Sequence, residues 1–381
     1  MPDPDGGSLY EEAQEFQRAL ATRDARLASI LVDRYAQAYR ALRGSFDALA
    51  LQIQKDIERG TVFTIDRVRR LERYAALMQL VDMQLAEFAR YAAREISAQQ
   101  AFEVREALRR AAELRAAATQ QGLLSMLEGQ GRGAYPDGAD ERRIDALFSR
   151  LNNEPYMHLI GTMGDGTPLY NYLLNGGANV PGLTPEVIEQ IDHVLEQALL
   201  EGWNPRKAAR MFQDALGVGL TRALAIARTE MMRSYNEATR YEYIQAGVRE
   251  WEWLATMDLR TCLACIGLDG MRFPISEPMA DHVNGRCTMV PVIGDMGPRE
   301  RRVQWPERGL MTGNGEDWFN SLTDAQKREW MGDGNYNAWK AGAVTFRDFI
   351  GMRQNDVFGK SFVQESLVNL LGENAKQYYA R

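Results

Sequence analysis

The sequence predicts a mainly α fold of the α+β class. Its expected parts are a long N-terminal helical hairpin or bundle, a central helical domain, a small two-stranded β segment holding a zinc knuckle, and a C-terminal tail of short helices. Three observations lead there. Residues 9–58 are rich in Ala, Leu, Arg, Glu and Gln without a proline, and apolar residues recur at helical spacing. Two proline-marked helix starts follow, at Pro185 and Pro205. One short run near residue 250 changes to a period of two, as a strand requires.

In the first helix Tyr35, Ala38, Leu42, Phe46, Leu49, Ile53 and Ile57 share one face, and Gly60 supplies a stop. In the second, Leu71, Tyr74, Met78, Val81, Leu85, Phe88 and Ala92 alternate steps of three and four, a heptad-like stripe. An apolar stripe must be covered, so these helices are expected to pair. A third helical stretch, residues 98–127, carries enough charge for one solvated face. Residues 1–8 read as a loose end and the Gly/Pro cluster at 129–138 as a linker, with a new helix start near residue 140. Residues 152–182 read as a loop with short strands. Thr184-Pro185 and Asn204-Pro205 each place a capping residue before a proline suited to the first helical position. The helices they open are expected to end near Glu201 and Gly217, and a further one to run from Thr221 to Gln245, before Gly247.

Within residues 248–256, Trp251 and Trp253 alternate with Glu250 and Glu252, the pattern of a strand with one apolar face. A partner strand is expected over residues 288–293. Beyond Pro298, Trp305, Trp318, Trp330 and Trp339 sit among turn residues, and Thr323-Asp-Ala-Gln326 forms a capping box. Short helices are expected around residues 336–339, 346–352 and 364–371. This aromatic tail reads either as a docking surface or as the core of a small helical module. The implied domains are 1–130, 139–293 with a zinc-binding segment at 249–293, and 299–381.

A length of 381 residues suits two or three domains, and 45% hydrophobic with 25% charged residues is a globular mix able to bury a core. The net charge of -7 argues against wrapping duplex DNA as the main task, because neutralising phosphates needs a basic face. No basic start leads into an apolar run, and no stretch of about 18 apolar residues occurs. Neither a signal peptide nor a membrane span is therefore expected. The three cysteines, Cys262, Cys265 and Cys287, are odd in number and confined to one segment, unlike a disulfide framework.

Cys262, Cys265, His282 and Cys287 are ligands of the kind that Zn²⁺ favours in a closed structural tetrahedron. Cysteines separated by two residues form a knuckle that turns both sulfurs to one ion, and His282 with Cys287 would close it across a small loop. Such an ion would replace the hydrophobic core that so small a segment lacks. The plainer alternatives are reduced, half-buried thiols or a strained local disulfide, with His282 bonded only to the loop backbone.

These residues also carry a family resemblance. Ala227-Arg-Thr-Glu230, Asn236, Trp253, Asp258, Cys262-Leu-Ala-Cys265, Leu268-Asp-Gly270, His282, Arg286-Cys287 and Val290-Pro291 occur in that order. Together they resemble the phage Mu F-like domain of phage head-morphogenesis proteins, over residues 185–293. The tail from Trp318-Phe319 through Tyr336-Asn-Ala-Trp339 to Asp348 is similar to an extension often seen in that family. One position departs: the family often has Cys-Arg-Cys after the histidine, and here Gly285 stands first. The resemblance implies a minor capsid protein of a tailed phage, prophage or gene-transfer particle, present in few copies. It implies the portal protein as partner, with the major capsid or scaffolding protein and packaged DNA as further contacts and no membrane. Its implied place is the virion, in the capsid interior or at the portal vertex, after assembly in the host cytoplasm.

Arg228 shares a helix face with Leu224, Ala225, Met231 and Met232. Arg228, Glu230, Asn236 and Asp258 are read as a structural polar network that fixes this helix against the small sheet; the alternative is an ordinary amphipathic helix with solvated charges. The helices joined through Gly217-Val-Gly219 have the outline of a helix-turn-helix, which is common in helical proteins and at odds with the acidic balance. Neither a phosphate-binding Gly-rich loop nor a Ser/His/Asp set stands out, so no enzyme is expected. The competing reading is an HNH-like metal-dependent nuclease, or a DNA-binding protein carried in the particle, built on Asp281, His282 and Asn284; no second histidine follows His282. A third reading is an effector released into a new host. Some members of the family carry C-terminal toxin domains, and none is expected after the family-like tail.

Overall fold

The computed structural model describes residues 9–127 and 157–379, except 63, 178–179, 201–204, 295, 297–298, 304, 306–308 and 356–358. The loose end, the linker at 129–138, the helix start near 140 and the expected cap Asn204 lie outside the described residues. The fold is mainly helical with small antiparallel sheets, as the sequence predicts.

The N-terminal hairpin is present. α1 (Leu9–Glu58) leads through a short α2 (Ile65–Arg69), capped by the Thr64 side chain, into α3 (Glu72–Leu127). Gly60 has φ 88 and its N–H donates to the Ile57 carbonyl at 2.8 Å, ending α1 as expected. Leu31, Tyr35, Leu42, Phe46, Leu49 and Ile53 of α1 are buried, as are Leu77, Val81, Leu85, Phe88 and Ala92 of α3. The Tyr35 ring meets Phe88 edge-on at 4.8 Å, and Arg73 donates to the Ala48 carbonyl at 3.0 Å, so the helices run antiparallel. Burying each large apolar side chain contributes about 1.5–3 kcal/mol. The third helical stretch is not separate: α3 continues unbroken, since residues 72–121 contain neither glycine nor proline to stop it.

The chain forms two compact units, one from residues 24–101 and 158–231, the other from 1–23, 102–157 and 232–381. In the first, α4 (Leu169–Asn175) precedes a minimal hairpin of β1 (Gly176–Gly177) and β2 (Val180–Pro181). α5 (Leu183–Leu200) begins one residue ahead of the expected cap Thr184, whose hydroxyl is buried without a partner. α6 (Pro205–Gln245) runs unbroken through Gly217 and Gly219, which removes the helix-turn-helix outline, and it contributes to both units. A Cβ on Gly219 would lie 2.8 Å from Tyr35 Oη and 3.2 Å from Leu183 Cδ2. Glycine serves close packing there rather than a turn. Tyr35 Oη donates to the Leu216 carbonyl at 2.7 Å beside it.

The other unit holds a three-stranded antiparallel sheet, ordered β4–β3–β5, with β3 Glu250–Leu254, β4 Arg272–Pro274 and β5 Thr288–Val292. The expected pair is β3 with β5, where Trp251 faces Pro291 and Trp253 faces Met289. β4 is additional; three residues ending in proline leave no periodic signal. Glu252, which alternates with the tryptophans, is buried as well, and Arg299 Nε donates to its carboxylate at 2.7 Å. α7 (Leu263–Leu268) lies between β3 and β4 in sequence. After the sheet come a hairpin of β6 (Glu300–Val303) and β7 (Gly309–Thr312), then α8 (Gly315–Ser321), α9 (Asp324–Met331) and α10 (Asp333–Lys340). The Thr323/Gln326 capping box forms as expected. A 3₁₀ turn, Phe346–Phe349, leads into a hairpin of β8 (Ile350–Asn355) and β9 (Gly359–Gln364), followed by α11 (Leu367–Leu371) and α12 (Lys376–Tyr379). The helix expected at 346–352 is therefore a turn and a strand, because residues 350–355 find a pairing partner that no local pattern reveals.

The tail aromatics are core. Trp251 and Trp253 share one buried cluster with Trp318, Phe319, Phe346 and Phe349. Phe319 stacks on Phe346 at 4.5 Å, and Phe362 meets Trp253 edge-on at 5.9 Å. The opening turns of α1 join a second cluster, where Leu9, Tyr10, Ala13 and Phe16 pack with Leu254, Val290 and Met296. Among the described residues no helix is long and apolar enough to cross a membrane.

A buried ion cluster ties these parts together. Asp269, just past α7, accepts from the Ala255 N–H at 2.8 Å, from Arg299 Nη1 at 2.7 Å and from Arg301 Nη2. Burial alone would raise the Asp269 carboxyl, but the Arg299 and Arg301 guanidiniums hold it below its ordinary value. Asp269→Ala would leave both guanidiniums without this partner, and it is expected to destabilise the protein by about 3–5 kcal/mol, read as a lower denaturant midpoint.

Candidate metal centre

The cysteines and His282 lie in the unit that contains the three-stranded sheet. Cys262 is extended (φ -73, ψ 161) at the N-terminus of α7, and its sulfur accepts from the Cys265 N–H at 3.4 Å. One helical turn then turns the Cys265 side chain toward the same point. His282 comes from the loop between β4 and β5. Its Nε2 lies 3.4 Å from Cys262 Sγ and 3.3 Å from Cys265 Sγ. Its Nδ1 is 2.8 Å from the Val283 carbonyl, which can only accept, so Nδ1 carries a proton and Nε2 is the nitrogen turned toward the sulfurs. All three cysteines are free thiols, so no disulfide competes for them.

Asp281, which the sequence reading did not assign as a ligand, organises the loop. Its Oδ1 accepts from the His282 N–H at 2.9 Å and its Oδ2 from the Cys287 N–H at 3.1 Å. Oδ1 also lies 3.9 Å from Cys265 Sγ and 3.9 Å from His282 Nε2. Gly285 explains itself here: a Cβ at that position would sit 2.1 Å from the Asp281 carboxylate. The potential ligands form two overlapping triads, Cys262–Cys265–His282 and Cys265–Asp281–Cys287, each with its ligand atoms within 4.8 Å of one another. Cys265 belongs to both.

The electrostatics suit a cation. Hydrogen bonding to Cys265, with help from His282, draws the Cys262 thiol down to about 4 against the opposing effect of burial. Bonding to Cys262 and Cys287, together with burial, pushes the Cys265 thiol well above its ordinary value. Burial raises the Asp281 carboxyl to about 6. Burial opposes charge on His282, yet Cys262 and Asp281 raise the imidazole to about 10. Cys262 is thus favoured as a thiolate while its neighbours Cys265 and Asp281 hold their protons more tightly, and a divalent ion bound there would have to displace those protons. Tetrahedral zinc, bonded to sulfur at about 2.3 Å and to nitrogen at about 2.0–2.1 Å, separates those donors by about 3.5 Å. The two observed sulfur–nitrogen distances, 3.4 and 3.3 Å, match it. Cys262, Cys265 and His282 therefore fit a metal.

The tail supports the knuckle. Gln364 Oε1 on β9 accepts from the Leu263 N–H at 3.0 Å, and the Phe362 N–H donates to the Ala280 carbonyl at 2.8 Å, next to Asp281. Neither contact has a sequence signal. Cys262, His282 and Val283 border an open cleft with Arg353, Ser361 and Gln364.

The four residues read as a polar network are divided. Arg228 and Glu230 lie in the unit of residues 24–101 and 158–231, where Arg228 Nε pairs with Asp24 at 2.7 Å and Glu230 is buried. Asn236 and Asp258 lie in the other unit. Asn236 Nδ2 donates to the Cys287 carbonyl at 3.2 Å, while Asp258 accepts a forked pair of bonds from Arg286 at 2.6 and 2.7 Å. Those last two hold the C-terminal end of the His282 loop, at Arg286 and Cys287.

The family of phage Mu protein F like proteins matches residues 189–290. An uncharacterized protein of Haemophilus influenzae is 22% identical over 120 residues, covering 30% of this chain and 27% of the relative. The NAD(+)–arginine ADP-ribosyltransferase EFV of Enterococcus faecalis is 26% identical over 137 residues, covering 31% of this chain and 28% of the relative. The chain thus spans about a quarter of the length of these curated relatives. No solved structure matches.

Asp258 gives a pH signature. Burial would raise its carboxyl, and Arg286 overrides this to bring it down to about 2. A depressed carboxyl contributes stability that is complete above its ordinary value of 3.8 and disappears as pH falls toward about 2. An Arg286→Met variant is expected to lose less of its unfolding midpoint than the parent between about pH 4 and pH 2, in a series of denaturant titrations.

Proposed function

From the premise that residues 189–290 are phage Mu F-like, we propose that this chain is a minor capsid or head-morphogenesis protein of a tailed phage, prophage or gene-transfer particle. The observation that carries the reading is the match over those residues, which takes in α5, α6, β3, α7 and the metal loop. The proposed role is that of a rigid part, associated with the portal vertex during procapsid assembly. Contacts with the major capsid or scaffolding protein and with packaged DNA belong to the same proposal, as does a final place in the virion. No activity is carried over from the ADP-ribosyltransferase, of which this chain covers 28%. The geometry at His282 supports a structural role over a nuclease: both imidazole nitrogens are engaged, one by a carbonyl and one by two sulfurs, rather than set to activate water.

Zn²⁺ is the proposed ion, held by Cys262, Cys265 and His282, with a fourth ligand from the side of Asp281 and Cys287. When bound it supplies a cross-link between α7 and the β4–β5 loop. The chain's own residues do the positioning: Asp281 ties the loop, Arg286 and Asp258 brace it, and Gln364 holds the first turn of α7.

Elemental analysis of the purified protein is expected to find about one zinc per chain. Chelation or Cys265→Ser should increase amide exchange across residues 249–293 while the α1–α3 hairpin stays protected; zinc-free protein with unchanged exchange would count against the metal. Co-expression with the cognate portal protein followed by affinity capture is expected to recover both. Failure to recover the portal at every stage of assembly would defeat the portal assignment.

A further inference from the structure

Resting on the reading that Cys262, Cys265 and His282 hold a divalent metal, we infer that the Asp281 carboxylate, and not the Cys287 thiol, completes the ligand set. Position is the first ground. Asp281 Oδ1 stands 3.9 Å from both Cys265 Sγ and His282 Nε2, so it faces two members of the triad. Asp281 and Cys287 both join Cys265 in the second triad, so it is the reach of Asp281 to His282 Nε2 as well that sets it apart as the closing group. Preorganisation is the second. Two backbone N–H donors, from His282 and Cys287, hold the carboxylate in place, and each oxygen keeps a further lone pair. Reserved space is the third. Any side chain at Gly285 would enter the volume that the carboxylate fills.

Cys287 is accounted for without a metal. It is 2% exposed and packs in the apolar cluster of Trp251, Trp253 and Met289. Its N–H donates to Asp281 and its carbonyl accepts from Asn236, so its backbone pins the loop to α6. Exchanging a thiolate for a carboxylate leaves the charge of the ligand set unchanged. Two thiolates, one imidazole and one carboxylate suit a borderline divalent ion such as Zn²⁺ or Co²⁺. A carboxylate in the fourth position closes the site from its buried side, as a structural centre requires.

The test is cobalt(II) added alone to the reduced, metal-free full chain. Four-coordination gives intense visible bands, and the near-ultraviolet sulfur-to-cobalt charge-transfer band scales with the number of thiolates. The parent is expected to show the intensity of two thiolates, unchanged in Cys287→Ala. Asp281→Ala and Gly285→Ala should each weaken cobalt binding by at least about tenfold. Asp281→Cys should raise the charge-transfer band to that of three thiolates. A three-thiolate band in the parent overturns the inference by itself, whether or not the Cys287 variant folds, and so does unchanged affinity in Asp281→Ala. A parent that binds neither cobalt nor zinc defeats the metal reading itself, and this inference with it.

Discussion

The Asp269 carboxylate sits without solvent exposure between Arg299 and Arg301, and around it three stretches of chain meet. Its own residue ends α7, the helix that presents both knuckle cysteines. The Ala255 N–H follows β3, and the two arginines begin the β6–β7 hairpin. Arg299 reaches further, to Glu252 on β3 and to the Gly313 carbonyl beyond β7. Two guanidiniums and two carboxylates balance in charge, which is what makes their burial tolerable; removing one partner leaves a charge in a medium that cannot solvate it. The position of α7, and hence of Cys262 and Cys265, depends on this balance.

On that frame the metal loop is held from several directions. The sheet fixes its ends through β4 and β5, and Asp281 folds it inward by accepting two backbone N–H bonds. Arg286 clamps it to Asp258, and β9 lies against its entrance through Phe362 and Gln364. A loop restrained in this way loses little freedom when it takes up an ion, so the affinity is spent on ligation rather than on ordering. These restraints give the loop a fixed shape.

The relation between the tail and the sheet has the same character. Trp251 and Trp253 need more apolar cover than a three-stranded sheet can provide, and Trp318, Phe319, Phe346 and Phe362 supply it. Those aromatics are consequently committed to the interior. The opening turns of α1 cover another edge through Tyr10, Phe16 and Gln17, whose amide donates to the Leu254 carbonyl at 2.8 Å.

Periodicity made the long elements legible in the sequence. The α1 and α3 stripes, the Gly60 stop, the Pro205 start, the β3–β5 pair and the Thr323 capping box each depend on residues close together in the chain, where spacing and local hydrogen bonding decide the outcome. The clustering of Cys262, Cys265 and His282 was readable too, because ligand chemistry is a matter of residue type. Tertiary structure alone decided the rest. Gly219 became a packing glycine because Tyr35 and Leu183 approach it, β8 became a strand because β9 lies alongside, and Glu252 went inside because Arg299, 47 residues later, waits there. Asp281 and Gly285 belong together only because the loop folds one onto the other, a contact through space that no one-dimensional pattern records.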